Sequence, residues 1–191
     1  IQNELNRIDL IASNYKTDSE LSFINKSPTD QIINISDEMF TMLSFAEDLY
    51  IKTSGLYDIT LGSLIIDEGF GPMASMSDES IQVSSKRFEF ISDSSIIKND
   101  NFQFDLSSIA KGFAVDSVSR ILLAAGKNNF LIDIGGEIII NGSKHNQPWA
   151  IGIQDPTSIN NSSIINIFGN DFLAVATSGE YRNFKSVSYT H

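Results

Sequence analysis

A chain of 191 residues with 41% apolar and 19% charged side chains is long enough to bury a core and has an ordinary globular composition. Its net charge of -11 argues against a nucleic-acid groove or an anionic membrane surface as the main partner. Zero cysteines exclude disulfides and thiolate chemistry, and no apolar run approaches the roughly 20 residues of a membrane span.

Residues 1–12 read as a helix, with Leu5, Ile8 and Ile11 or Ala12 along one stripe. Ser13-Asn14-Tyr15 and a polar segment, 16–22, follow; the default for Tyr15 is a core aromatic, the alternative a ring that stacks on a ligand. Ile33-Asn34-Ile35 alternates briefly, and Ser36 caps a second helix that buries Met39, Phe40, Leu43, Ala46 and Leu49-Tyr50. Thr53-Ser54-Gly55 ends it. Asp58, between apolar neighbours, is by default a cap and otherwise a polar group facing a ligand. After Gly69-Phe70-Gly71-Pro72, residues 73–103 are weakly patterned, with strand candidates at Ile81–Val83 and Phe88–Ile91.

The stretch from Phe104 to Asp116 is the most informative. An acid closes an apolar run, two serines follow, and Ala110, Ala114, Val118, Ile121, Leu122 and Ala125 fall at helical spacing. Asp105 or Ser107 caps the first turn, and Gly126 suits a left-handed C-cap. Lys111 opposes the helix dipole in the first turn. Free N–H groups, two hydroxyls and an amine there suit a phosphate. The plainer reading is a capped core helix whose Lys111 snorkels to solvent.

Beyond it, Phe130–Ile134 and Glu137–Ile140 read as strands bent or paired at Gly135-Gly136, where adjacent glycines also admit a close ligand. Asn141-Gly142 signals a second turn, and Trp149–Ile153 a further strand ended by Asp155-Pro156. His145 is assigned to solvent. Ile164–Phe168 and Phe172–Ala176 read as strands around a hairpin-like turn at Gly169-Asn170. Thr177-Ser178-Gly179 then forms either a backbone cradle for oxygens or an ordinary loop. Helices mixed with late strand pairs favour α+β over a doubly wound sheet.

Taken in order, these segments resemble the ApbE family, the FAD:protein FMN transferases. The matching pieces begin with Ser13-Asn14-Tyr15, Asp18-Ser19-Glu20 and Phe23-Ile24-Asn25, then Thr53 to Gly62 and Gly69-Phe70-Gly71-Pro72. They continue with Asp105 to Asp116, Asp133-Ile134-Gly135-Gly136, Pro148 to Pro156 and Ala176 to Tyr181. The resemblance implies a single α+β domain over residues 1–191, a T-fold-like core of mixed helices and antiparallel strand pairs. It implies Mg²⁺-dependent transfer of FMN from FAD to a Thr or Ser hydroxyl of a target flavoprotein, with release of AMP. FAD contacts are implied for Tyr15, Leu56, Tyr57, Asp58, Asp105, Lys111, Thr177, Ser178 and Gly179, and a metal oxygen at Ser108. His191 resembles the histidine that opens the family's C-terminal motif; by chemistry it is a candidate catalytic base, the plainer reading being an ordinary chain-terminal histidine. Breaking a pyrophosphate needs charge neutralised on its oxygens, which a metal and an adjacent amine provide, so Lys111 fits an anionic ligand.

The resemblance also sets expectations about extent. The family's N-terminal segment, with a flavin-contacting Met, has no counterpart before Ile1, and its Asp and Thr metal ligands fall after His191. The stretch from Pro72 to Asp105 is shorter than in the family, so a helix there is expected to be reduced or absent. The chain is thus expected to be a piece of a longer protein that forms much of a flavin site, since one oxygen at Ser108 cannot hold Mg²⁺. The alternative is an FAD-binding protein or FAD pyrophosphatase-like relative without transfer. An acceptor subunit of a redox complex and an exported, periplasmic or cell-surface lipoprotein location follow from the resemblance alone, with membrane contact only through a lipid anchor not visible here.

Overall fold

Residues 1–67, 87–155, 163–169 and 171–178 are described in this computed structural model. The chain falls into two compact units, Ile1–Ala114 and Val115–His191.

The first unit opens with helices α1 (Gln2–Ala12) and α2 (Glu20–Lys26), then strand β1 (Ile32–Asn34) and helices α3 (Asp37–Lys52) and α4 (Gly62–Asp67). Strands β2 (Phe88–Ser92) and β3 (Ser95–Lys98) complete an antiparallel sheet of order β1-β3-β2. The expected stripe of α1 is buried at Ile8, Ile11 and Ala12. Ser36 caps α3 by accepting from the Met39 N–H, and Met39, Met42, Leu43 and Ala46 form its buried face. Helix α2 begins within the segment 16–22 read as merely polar. Its Ser19 cap accepts from Ser22 N–H, and Leu21 and Ile24 are fully buried, a two-residue stripe too short to stand out as a period. Phenylalanines 40, 90, 88, 104 and 102 run through this core as a series of edge-to-face pairs at 4.8–5.5 Å.

Helix α5 (Ala110–Ala124) begins in the first unit and continues into the second. Ala114, Val115 and Val118 are buried, whereas Ile121 is 38% exposed and Ala125 exposed, so the expected stripe holds only in the first half. Gly126, at φ +70°, ends the helix as expected: its N–H reaches Leu123 O, and Lys127 N–H reaches Leu122 O.

The second unit then carries β4 (Phe130–Ile134), β5 (Glu137–Asn141), β6 (Trp149–Gln154), β7 (Ser163–Gly169) and β8 (Leu173–Val175). They form an antiparallel sheet β4-β5-β8 and a separate antiparallel pair β6-β7. The β4–β5 hairpin turns at Gly135-Gly136, at φ +60° and +92°, as the glycine pair predicts. Two expectations are corrected. The strands flanking Gly169-Asn170 are not partners, since β7 pairs with β6 and β8 with β5; each finds its neighbour earlier in the chain. The reversal before β6 is made at His145-Asn146, not Asn141-Gly142. Lys144 and Gln147 exchange two N–H···O bonds of 2.9 Å across it, and both central residues are left-handed. The strand candidate at 81–83 and the shortened helix expected between 72 and 105 fall wholly or largely outside the described residues. The architecture is α+β with antiparallel strand pairs.

Candidate functional site

In the first unit the structure gathers several of the expected site residues around the turn Asp105–Ser108. This turn follows a buried, strand-like segment. Gln103 O accepts from Gly62 N–H at 2.9 Å, and Asp105 N–H donates to Ile59 O at 2.7 Å. A Cβ on Gly62 would lie 2.6 Å from Gln103 O, so only glycine lets the two backbones meet. Asp105 does not cap α5 directly. Its Oδ1 accepts from Ser107 N–H at 2.7 Å and from Asn14 Nδ2 at 2.9 Å, closing a turn ahead of the helix and tying it to the residue before Tyr15. Leu106 O then accepts from the N–H groups of Ile109 and Ala110 and starts α5.

Tyr15 is 70% exposed, which overturns its default as a core aromatic. Ser13 and Ser19 fix its surroundings: Tyr15 N–H bonds to Ser13 Oγ, and Ser19 Oγ donates to Ser13 O at 2.6 Å. The ring is thus carried on an ordered backbone with its face open. Leu56 is 93% exposed on the turn that follows α3. Tyr57 is half-buried, and its hydroxyl lies 2.7 Å from Ser108 Oγ, joining the two expected contact segments. Burial pushes the Tyr57 phenol above its ordinary value; the Ser108 hydrogen bond opposes this and the Asp105 charge adds to it. Tyr57 is therefore a neutral hydroxyl at neutral pH.

Asp58 is not the helix cap that is its default reading: it closes a side-chain turn ahead of α4, as Asp105 does ahead of α5. Its Oδ1 accepts from the Thr60 N–H at 2.8 Å and the Thr60 hydroxyl at 2.6 Å. Arg87, which sequence reading passed over, supports this turn from the core. Its Nη1 donates to Thr60 O and Thr60 Oγ1 and lies 3.7 Å from Asp58 Oδ2. Its signal was faint: one arginine at the edge of a weakly patterned stretch. Glu47, half-buried on α3, has its carboxyl pushed above the ordinary range by burial and then by the Asp58 charge. Lys111 is exposed at the second position of α5, and Ser107 and Ser108 are exposed before it.

In the second unit, Thr177 and Ser178 are exposed after β8. A Cβ on Gly136 would lie 3.4 Å from Thr177 Oγ1, so the β4–β5 turn and the end of β8 stand together. Asp133 Oδ1 accepts from Gly136 N–H at 3.0 Å and closes that turn. His145 is exposed, as expected; it lines a shallow cavity of about 360 Å³ with Lys144 and Trp149. Gly179 and His191 lie outside the described residues. Among the described residues no three His, Asp or Glu side chains converge as a metal site, and no helix is long and apolar enough to cross a membrane.

An exposed ring beside a carboxylate and hydroxyls, with an amine on the following helix, suits a ligand that is planar at one end and anionic at another. The fold is that of an α+β protein. A model of the ApbE family matches residues 1–191, and the chain belongs to that family. It is 34% identical over 192 residues to an FAD:protein FMN transferase of Vibrio cholerae, covering 94% of this chain and 57% of that protein. The corresponding protein of Haemophilus influenzae is 32% identical, over 89% and 54%. Among solved structures, the flavin transferase ApbE from Vibrio cholerae superposes with a TM-score of 0.79 at 31% identity, covering 99% of this chain and 65% of that one. The ApbE protein of Thermotoga maritima gives 0.81 at 27% identity, over 97% and 63%. The chain spans somewhat over half the length of the curated relatives it matches.

Proposed function

We propose that this chain is the larger part of an FAD:protein FMN transferase, which moves FMN from FAD to a Thr or Ser hydroxyl of a flavoprotein and releases AMP. The carrying observation is the open Tyr15 ring on a backbone tied through Asn14 to Asp105, with Tyr57 and Ser108 joined beside it. The relatives named FAD:protein FMN transferase support the same reading.

Tyr15 stacks on a ring of FAD while Leu56, Tyr57 and Asp58 flank the nucleotide. Asp105 accepts hydrogen bonds from it, and Lys111 meets its phosphates. Thr177, Ser178 and Gly179 line the flavin end. In the transfer, the acceptor oxygen attacks the FMN phosphorus, the pyrophosphate P–O bond breaks, and AMP leaves with the bonding electrons. His191 takes the hydroxyl proton in the intact protein. Magnesium would neutralise pyrophosphate charge. Ser108 would give one oxygen, and the described residues do not complete the near-octahedral oxygen shell that this ion demands. Magnesium dependence is therefore proposed for the full-length protein. The acceptor is a redox-complex subunit, and the setting an exported, periplasmic or cell-surface lipoprotein.

The test incubates full-length protein with FAD and a domain bearing an acceptor Thr, with Mg²⁺ or chelator, and follows AMP and acceptor mass. The reading expects metal-dependent AMP and an FMN-modified acceptor. AMP with free FMN indicates a pyrophosphatase-like relative, and bound but intact FAD across several acceptors a binding protein.

A further inference from the structure

We propose that Asn25 is a positioning residue for the nucleotide site, its side-chain amide setting the Phe104 peptide and with it the Asp105–Ser108 turn. The inference rests on the function proposed above. Asn25 sits near the end of α2 and is half-buried. Its Nδ2 donates to Phe104 O at 3.0 Å, and its Oδ1 accepts from Phe104 N–H at 2.8 Å. One side-chain amide thus supplies the donor and the acceptor that a neighbouring strand would otherwise offer. Phe104 is 1% exposed, so both peptide groups would be buried without partners if that amide were lost. On the opposite flank the same segment is held by Ile59 and Gly62. Asn25 therefore fixes one of the two edges from which Asp105 and Ser108 project.

Asn25 is itself held in place. Lys98 is fully buried, and its Nζ donates to Asn25 O at 3.2 Å and Ser27 O at 3.3 Å, a cation at the carboxyl end of α2 where the helix dipole favours it. A chain of contacts runs from Lys98 through the Asn25 backbone and side chain to the Phe104 peptide. Asparagine is the residue type this requires. Leucine of similar size loses both bonds, and aspartate keeps the acceptor but sets a carboxylate against Phe104 O.

The test uses the full-length protein as wild type, Asn25→Leu, Asn25→Asp and Met42→Ala. Met42 is 2% exposed in the same core and serves as a variant of lowered stability without this contact. FAD affinity, acceptor KM and amide hydrogen exchange are measured well below each melting temperature. Both Asn25 variants are expected to lose at least tenfold in FAD affinity with acceptor KM unchanged, and to exchange amides 104–108 at least tenfold faster while α3 stays protected. Met42→Ala is expected to melt earlier with FAD affinity and amides 104–108 as in wild type. FAD affinity and exchange within twofold of wild type in a folded Asn25 variant overturn the proposal, as does an equal loss in Met42→Ala. Absence of FAD binding by wild type refutes the transferase reading instead, and the exchange of amides 104–108 still decides whether Asn25 sets the turn. Should Asn25→Leu fail to fold, Asn25→Asp carries the test.

Discussion

The two units hold their exposed turns by different means. In the first, the Asp105–Ser108 turn is pinned by side chains and backbone from far along the chain: Asn14, Asn25, Ile59 and Gly62. In the second, the reversals at Gly135-Gly136 and His145-Asn146 are set by adjoining residues: left-handed φ at both central positions of each, and Asp133 Oδ1 on the Gly136 N–H at the first. A turn held by tertiary contacts yields when a distant side chain is altered. A turn held by local geometry yields when its own residue type is altered. The first arrangement suits a surface that must present carboxylate, hydroxyls and ring at fixed separations.

The largest effect expected from this contrast is at Arg87. Its side chain is 5% exposed and Asp58 is 11% exposed, so Arg87→Met leaves a buried carboxylate without its cation. A loss of about 3–5 kcal/mol is expected, read as a fall in denaturant midpoint. Retention of wild-type stability would mean that the Asp58-Thr60 turn stands alone. In the second unit a glycine is the weak point instead. Gly142 has φ +62°, and a Cβ there would lie 2.3 Å from Asn128 O. Gly142→Ala is expected to cost about 1–3 kcal/mol by chemical denaturation, whereas Gly112→Ala, where the added carbon meets nothing within 4 Å, should gain up to about 1 kcal/mol.

A smaller loss is expected from Ser19→Ala. Ser19 Oγ caps α2 and also donates to Ser13 O, so about 1 kcal/mol should go by thermal unfolding, and the Ser13–Tyr15 backbone should exchange faster. The smallest effect is a pH dependence. The Glu47 carboxyl is pushed above its ordinary 4.5 in the folded chain, so its ionisation costs stability. Its contribution is fully present below 4.5 and is lost as pH rises through the folded value. Glu47→Gln should therefore melt slightly higher than wild type at pH 7, and the difference should vanish below about pH 4.5. A constant difference across pH would assign the effect to packing.

What the sequence disclosed follows the same division. The Ser36 cap, the Gly126 stop and the Gly135-Gly136 hairpin are written in neighbouring residues, and each lies where expected. Asn25 acts on a peptide 79 positions away and Lys98 on carbonyls 71 and 73 positions away, which no local pattern encodes. Only a lysine closing the short strand Ser95–Lys98, after Ile96-Ile97, hints at the second. Adjacency in sequence pairs the strands on either side of Gly169-Asn170, whereas the sheets pair β7 with β6 and β8 with β5. Tyr15 reads as core from the sequence because aromatic character alone does not tell a buried ring from one kept open by a bonded loop.

The central claim, that this surface of the first unit receives a flavin nucleotide, is tested most directly at Tyr15. The ring is 70% exposed, so Tyr15→Ala should leave the melting temperature unchanged, and FAD titrated into full-length protein reads the loss of stacking alone. The account predicts saturable binding by wild type and at least about a tenfold weaker affinity in the variant, in line with roughly 1–3 kcal/mol for an aromatic stack. Equal affinity in the two proteins would contradict it.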